Sequence, residues 1–216
     1  MLLDDELIER RRRQNLTAPR QDARGVTPSI RNFAQAIDRQ RQGLERVPLL
    51  RASRPDLIEV ARALDDAEAA ALAVSMDDPQ QELERFSQAA RAVTIPVLRA
   101  DLMLEEFQIY QSRAAGADAV LLYARALTPE LLARLAQAAS SAHMTAVVNC
   151  DSPEHVARAA AARVQVLALA PGLQAPPRTL LLSLGPFDPA QRGRIDAVLD
   201  DTLDDAAAFR AALEGE

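Results

Sequence analysis

All 25 basic residues of this chain are arginine, and lysine is absent. That bounds the chemistry at once. A guanidinium stays protonated, so it pairs with carboxylates or anions but does not exchange protons near neutral pH as a general-acid or Schiff-base lysine does. Carboxylates are more promising: Asp101, Asp151, Asp200 and Asp201 each stand just beyond a short apolar run. Such oxygens could hold a hard cation such as Mg²⁺, or cap the helices that follow. Capping is the better reading, and neither a metal nor a cofactor is expected. His143 and His155 have no second ligand beside them at metal spacing, which gives them surface or packing roles. Cys150, the single cysteine, rules out an intrachain disulfide and reads as a buried structural thiol.

The elements that carry these residues repeat. Apolar runs at 48–51, 70–75, 95–99, 119–123, 146–149, 164–169, 180–183 and 197–199 read as eight strands. Between them, Leu57, Val60 and Leu64, then Leu83, Phe86 and Ala90, then Phe107, Tyr110 and Ala114, then Leu131, Leu135 and Ala139 keep helical spacing. Thr128, Ser152 and Asp188, each before a proline, are N-cap signals. Strands apolar on both faces that alternate with helices imply a parallel sheet, and eight units favour a closed (β/α)8 TIM barrel. Three prolines within 170–178 and a short 187–195 segment leave no room for full helices, so the barrel's last quarter should be trimmed.

The net charge of −6 hides an asymmetry: twelve arginines between Arg10 and Arg54 face only Asp22, Asp38 and Glu45. Residues 1–46 therefore read as a basic, helical N-terminal extension on an acidic barrel of residues 47–216. Such an arm lies on its own domain or meets a protein partner or a second copy. With Phe33 as its one aromatic residue, it is poorly equipped to stack on nucleic acid. The charged N-terminus lacks the apolar core of a signal peptide, and no run reaches membrane-spanning length. A cytoplasmic protein is expected, with no membrane partner.

Three passages resemble indole-3-glycerol phosphate synthase. Ile95-Pro-Val-Leu-Arg-Ala-Asp-Leu-Met103 and the stretch from Glu106 through Gly116-Ala-Asp-Ala-Val-Leu-Leu122 are similar to that family's third strand, third helix and fourth strand. Ala69–Asp77 resembles its second strand, Arg51–Ser53 the end of its first, and Ser29–Ile37 part of the segment before its barrel. The family closes, decarboxylates and dehydrates an anthranilate-derived ribulose phosphate in tryptophan biosynthesis. The resemblance implies a Glu-x-Lys on strand one, a general-acid lysine ending strand three and a general-base glutamate on strand five. On this alignment those positions hold Pro48 and Leu50, Ala100, and Asn149, while strand seven's Ser-Glu-Ser-Gly becomes Ser183-Leu184-Gly185-Pro186.

The phosphate site implied by the resemblance is also altered, because Asp200 and Asp201 would repel a dianion. The loops after Ser53 and after Asp77 are short. Tyr123 and Arg125, bulkier than the family's usual residues there, are expected to plug the old pocket by pairing with Asp101 or Asp151; Arg51, Arg99 or Arg125 could instead form a carboxylate site. The vestigial pocket is then Leu50, Arg51, Ser53, Ala100, Asp101, Tyr123, Arg125, Asn149, Ser183, Asp200 and Asp201. No catalytic residue is assigned. The expectation is a pseudoenzyme with a binding, regulatory or assembly role, the alternatives being altered chemistry on the same rim or residual synthase activity. Its small-molecule ligand cannot be named from the sequence.

Overall fold

In the computed structural model, residues 4–23, 26–38 and 43–214 are described. Arg24, Arg39 and Arg41, counted in the basic arm, lie outside them. Eight parallel strands close into a barrel in sequence order: β1 (Glu45–Arg51), β2 (Leu72–Ser75), β3 (Val97–Arg99), β4 (Ala119–Tyr123), β5 (Thr145–Cys150), β6 (Val166–Leu169), β7 (Leu180–Leu184) and β8 (Ala197–Asp200). Every apolar run of the sequence becomes one of them.

Five helices follow the first five strands: α3 (Leu57–Asp66), α4 (Pro79–Ala92), α5 (Glu106–Ala114), α6 (Pro129–Ser141) and α7 (Pro153–Ala161). They form where an apolar stripe meets a proper start. In α6, Leu132, Leu135, Ala136 and Ala139 are buried, and Thr128 accepts a hydrogen bond from the Leu131 amide while Pro129 supplies a preset first turn. Each fully buried leucine contributes about 1.5–3 kcal/mol of transfer energy. The trimmed quarter is as expected. No helix separates β6 from β7, a single 3-10 turn at Pro189–Gln191 separates β7 from β8, and α8 (Ala206–Glu214) ends the described barrel. Phe187 in that turn region is flanked by the guanidiniums of Arg46 and Arg192 at 5.0 and 5.7 Å from its ring centre.

The N-terminal extension holds both ends of the barrel. Helix α1 (Asp5–Thr17) lies over the loops after β2 and β3: Gln80 Nε2 donates to the Gln14 carbonyl at 2.7 Å, and Asn15 Nδ2 to Gln108 Oε1 at 3.1 Å. Its buried side chains, Ile8, Arg11 and Asn15, recur at helical spacing. Helix α2 (Phe33–Ile37) seats fully buried Phe33 and Ile37 in the core, near the strands' starting end. Just before it, Arg31 Nε lies 2.7 Å from Asp118 Oδ2, and its Nη atoms donate to the carbonyls of Ala90, Val93, Ile95 and Gly116. Buried Asp118 also accepts from Ser29 Oγ, the Val97 amide and Arg113. The extension is thus an integral part of the fold.

Candidate functional site

Register decides which side chains reach the barrel's interior. Leu49 pairs with Ala73 and Arg51 with Ser75; Ala73 pairs with Leu98; Leu98 pairs with Ala119, and Tyr123 pairs with Asn149. Because side chains alternate along a strand, the inward set at the strands' C-terminal end includes Arg51, Ser75, Ala100, Tyr123 and Asn149. The first four, with Leu49, Leu121, Leu184 and Leu199, border a cavity of about 740 Å³. Its mouth carries Arg54, Asp56, Asp77, Asp201 and Asp204.

Several positions assigned to the pocket from sequence lie elsewhere. Strand one presents Leu49 and Arg51 inward, one residue away from the expected Pro48 and Leu50, although Leu50 also borders the cavity. The slip matters because it puts an arginine in the place read as leucine. Asp101 faces outward and is sealed at 0% exposure: Arg99 Nε meets Oδ1 at 2.7 Å, and Arg99 Nη2 and Arg11 Nη1 meet Oδ2 at 3.1 and 2.9 Å. Ser183 also alternates outward, accepting from Gln191 Nε2 at 3.0 Å. Asp200 is buried on the outer face, with Oδ1 accepting from the Thr202 amide and hydroxyl. Ser53 and Arg125 are exposed and border no part of the cavity.

The expected plug therefore fails. Arg125 points to solvent and Asp101 is held by two other arginines, so only Tyr123 occupies the wall and the cavity stays open. Burial, with the Asp101 charge second, pushes the Tyr123 phenol up to about 12, so it stays an uncharged hydroxyl at neutral pH. Asn149 shares its face and donates weakly to the Ala168 carbonyl at 3.4 Å. Cys150 points away and is fully buried; burial, then the Asp151 charge, pushes its thiol to about 12. His155, given a surface or packing role from the sequence, has Asp151 Oδ1 2.5 Å from its Nδ1, though out of line for a hydrogen bond. Among the described residues no three His, Cys, Asp or Glu side chains converge as metal ligands.

The charge at the mouth is uneven. Arg54 grips Asp56 through Nε and Nη2 at 2.7 and 2.9 Å, and its Nη1 donates to the Asp204 carbonyl at 2.7 Å, tying the β1 loop to the β8 loop. The Arg54 guanidinium is raised above its usual range, chiefly by the Asp56 hydrogen bonds. Arg51 Nη1 stands 3.7 Å from Asp77 Oδ2, with both side chains mostly exposed.

The family model for indole-3-glycerol phosphate synthase matches residues 4–169, from α1 to the end of β6. The chain belongs to that family. An indole-3-glycerol phosphate synthase of Neisseria meningitidis is 48% identical over 100 residues, covering 44% of this chain and 38% of that protein. One of Chlorobium phaeovibrioides is 30% identical over 171 residues, 74% of this chain and 66% of the relative. The matches thus span less than two thirds of these relatives' own length. Among solved structures, a 3-hexulose-6-phosphate synthase superposes with a TM-score of 0.60 at 16% identity, over 79% of this chain and 99% of that one. Orotidine 5'-phosphate decarboxylase of Pyrococcus horikoshii OT3 gives 0.58 at 10% identity, over 76% and 96%. Those two likenesses concern the fold alone. The match ends with β6, where the barrel becomes trimmed.

Proposed function

We propose that this family member is a pseudoenzyme: it has lost the synthase reaction and keeps the barrel as a small-molecule-binding scaffold. One observation carries the reading. Ala100 holds the inward position at the end of β3, where the family resemblance calls for a general-acid lysine, and a methyl group delivers no proton. Its inward neighbours Arg51, Ser75, Tyr123 and Asn149 do not replace it. The guanidinium and the raised phenol keep their protons at neutral pH, and serine and an amide do not titrate there. The open cavity supports binding over a purely architectural role. On the outside, exposed Arg10, Arg12 and Arg13 on α1 are where a protein partner or second copy would be met.

The test is direct. Purified protein mixed with the family's anthranilate-derived ribulose phosphate should form no indole-glycerol phosphate above an enzyme-free control, even at micromolar protein. Turnover that disappears with Asn149→Ala would refute the reading.

A further inference from the structure

The charges around the cavity do not balance. Arg54 makes three hydrogen bonds to Asp56 and the Asp204 carbonyl, and Arg51 has Asp77 as its neighbour. That leaves Asp201 and Asp204, both exposed on the β8–α8 loop, outside ion-pair distance of any cation among the described residues, although the Asp204 charge still acts on Arg54. Below them the wall is apolar: Leu49, Leu121 and Leu199, with Leu184 left 38% exposed at the opening. An independent feature sits in the same wall. The Tyr123 side chain is buried to 6% exposure and borders the cavity, and its hydroxyl has no hydrogen-bond partner among the described residues. The hydroxyl opens onto the cavity, so a ligand there can donate to it or accept from it.

We infer that the cavity takes a small organic cation with an apolar body, its ammonium toward Asp201 and Asp204 and a hydrogen-bonding group toward the Tyr123 hydroxyl. The inference rests on the reading of the barrel as a binding scaffold and reverses the charge preference of a phosphate site. Four carboxylates against two guanidiniums at the mouth of a low-dielectric cleft concentrate cations and disfavour anions. The leucine wall supplies contact area for an aromatic or aliphatic body. Among the described lining residues Arg51 is the guanidinium least committed to hydrogen bonds, and its Asp77 neighbour competes with any anion for it.

Three probes of nearly equal shape separate the contributions: tyramine as the cation, 2-(4-hydroxyphenyl)ethanol as the neutral form and 3-(4-hydroxyphenyl)propionate as the anion. Binding to the full chain is read by calorimetry and by melting temperature, with inorganic phosphate as a fourth ligand. Tyramine should bind most tightly, the alcohol less, and the propionate and phosphate least. Because Asp201 and Asp204 are exposed, Asp201→Asn with Asp204→Asn should leave the fold intact and weaken tyramine about tenfold without changing the alcohol. Tyr123→Phe should weaken tyramine and the alcohol alike, about fivefold. Propionate or phosphate binding as tightly as tyramine would overturn the inference. So would failure of all three phenols to bind at millimolar concentration, or an unchanged tyramine-to-alcohol ratio in the double variant. None of these results bears on turnover, so the loss of catalysis stands or falls separately.

Discussion

Asp101→Asn is the most informative single change in the molecule. The substitution keeps the shape and removes the charge that neutralises two buried guanidiniums, Arg99 at 0% and Arg11 at 2% exposure. Arg99 would keep Gln111 Oε1 and Ser112 Oγ at 3.3 and 3.2 Å, and Arg11 the Met76 carbonyl at 3.3 Å. These are neutral acceptors and do not offset two cations facing each other away from water. Burial already lowers the Arg11 pKa, with the Asp101 charge as the largest opposing influence. Breaking a buried ion pair costs about 3–5 kcal/mol, so Asp101→Asn should fall in that range. Arg11→Ala should cost less, about 1–2 kcal/mol, because Asp101 keeps its two-bond fork to Arg99. At a urea m-value of about 2–3 kcal/mol/M, Asp101→Asn moves the midpoint down by roughly 1–2.5 M. Hydrogen exchange separates local from global effects: Arg11→Ala should speed exchange in α1 and leave α5 protected. A loss below about 1 kcal/mol for Asp101→Asn, or a larger loss for Arg11→Ala, would refute the idea that one carboxylate clamps the arm to the barrel.

Two further outcomes follow from the arm and from alkaline pH. A chain beginning at residue 29 should fold, since Ser29, Arg31, Phe33 and Ile37 remain. One beginning at residue 43 should aggregate on gel filtration, because Phe33 and Ile37, each worth about 1.5–3 kcal/mol, leave gaps in the core and Asp118 keeps only Arg113 and the Val97 amide. The same columns at low and high salt test whether α1 mediates association. Cys150 has its folded pKa raised above the unfolded value, so its contribution is complete below about pH 9 and is lost as pH rises toward 12, at up to ~1.4 kcal/mol per pH unit. With no lysine to titrate in that window, urea midpoints at pH 8.5 and 10.5 should fall further for the parent than for Cys150→Ala; equal falls would contradict the buried-thiol assignment.

What the sequence made legible is local. Eight apolar runs, the helical stripes and the caps at Thr128, Ser152 and Asp188 all depend on neighbours a few residues away. The proline-rich gap after β6 was equally plain. Strand one misled by one residue because Val47-Pro-Leu-Leu50 is apolar throughout, which erases the alternation that would set its phase. Arg11 with Asp101 and Ser29 with Asp118 join residues about ninety apart, and neither spacing nor composition encodes such a pairing. Charge counting showed that the arm and the barrel attract. It could not show that the attraction is carried by a few buried contacts. Arg125 was misplaced for a related reason: a charged residue at a strand's end has two faces open to it, and only the closed barrel distinguishes them.

On the proposed reading, the two outcomes at the end of β3 argue that a single residue would not supply synthase chemistry. Asp101 now serves the clamp beneath α1, with both oxygens engaged by arginines, while Ala100 beside it faces an apolar wall. Ala100→Lys would place an ammonium at a site with 4% exposure whose nearest wall includes Leu121 and Tyr123, and the neighbouring carboxylate is no longer available to receive it. Desolvation would lower the new group's pKa below its unfolded value of about 10.4. A lysine lowered on folding destabilises where it must be charged, so the penalty is full below the folded pKa and vanishes as pH rises through 10.4. Relative to the parent, the variant should therefore be less stable by about 1–3 kcal/mol at pH 7 and should close most of that gap by pH 10.5. On the proposed reading it should also show no turnover, because Asn149 stands where the family resemblance calls for a base. Urea unfolding of both proteins across that pH range, with the turnover assay in parallel, decides it. A gap that stays constant with pH would mean the ammonium reaches the carboxylates at the cavity mouth, and regained turnover would mean that Ala100 alone silenced the enzyme.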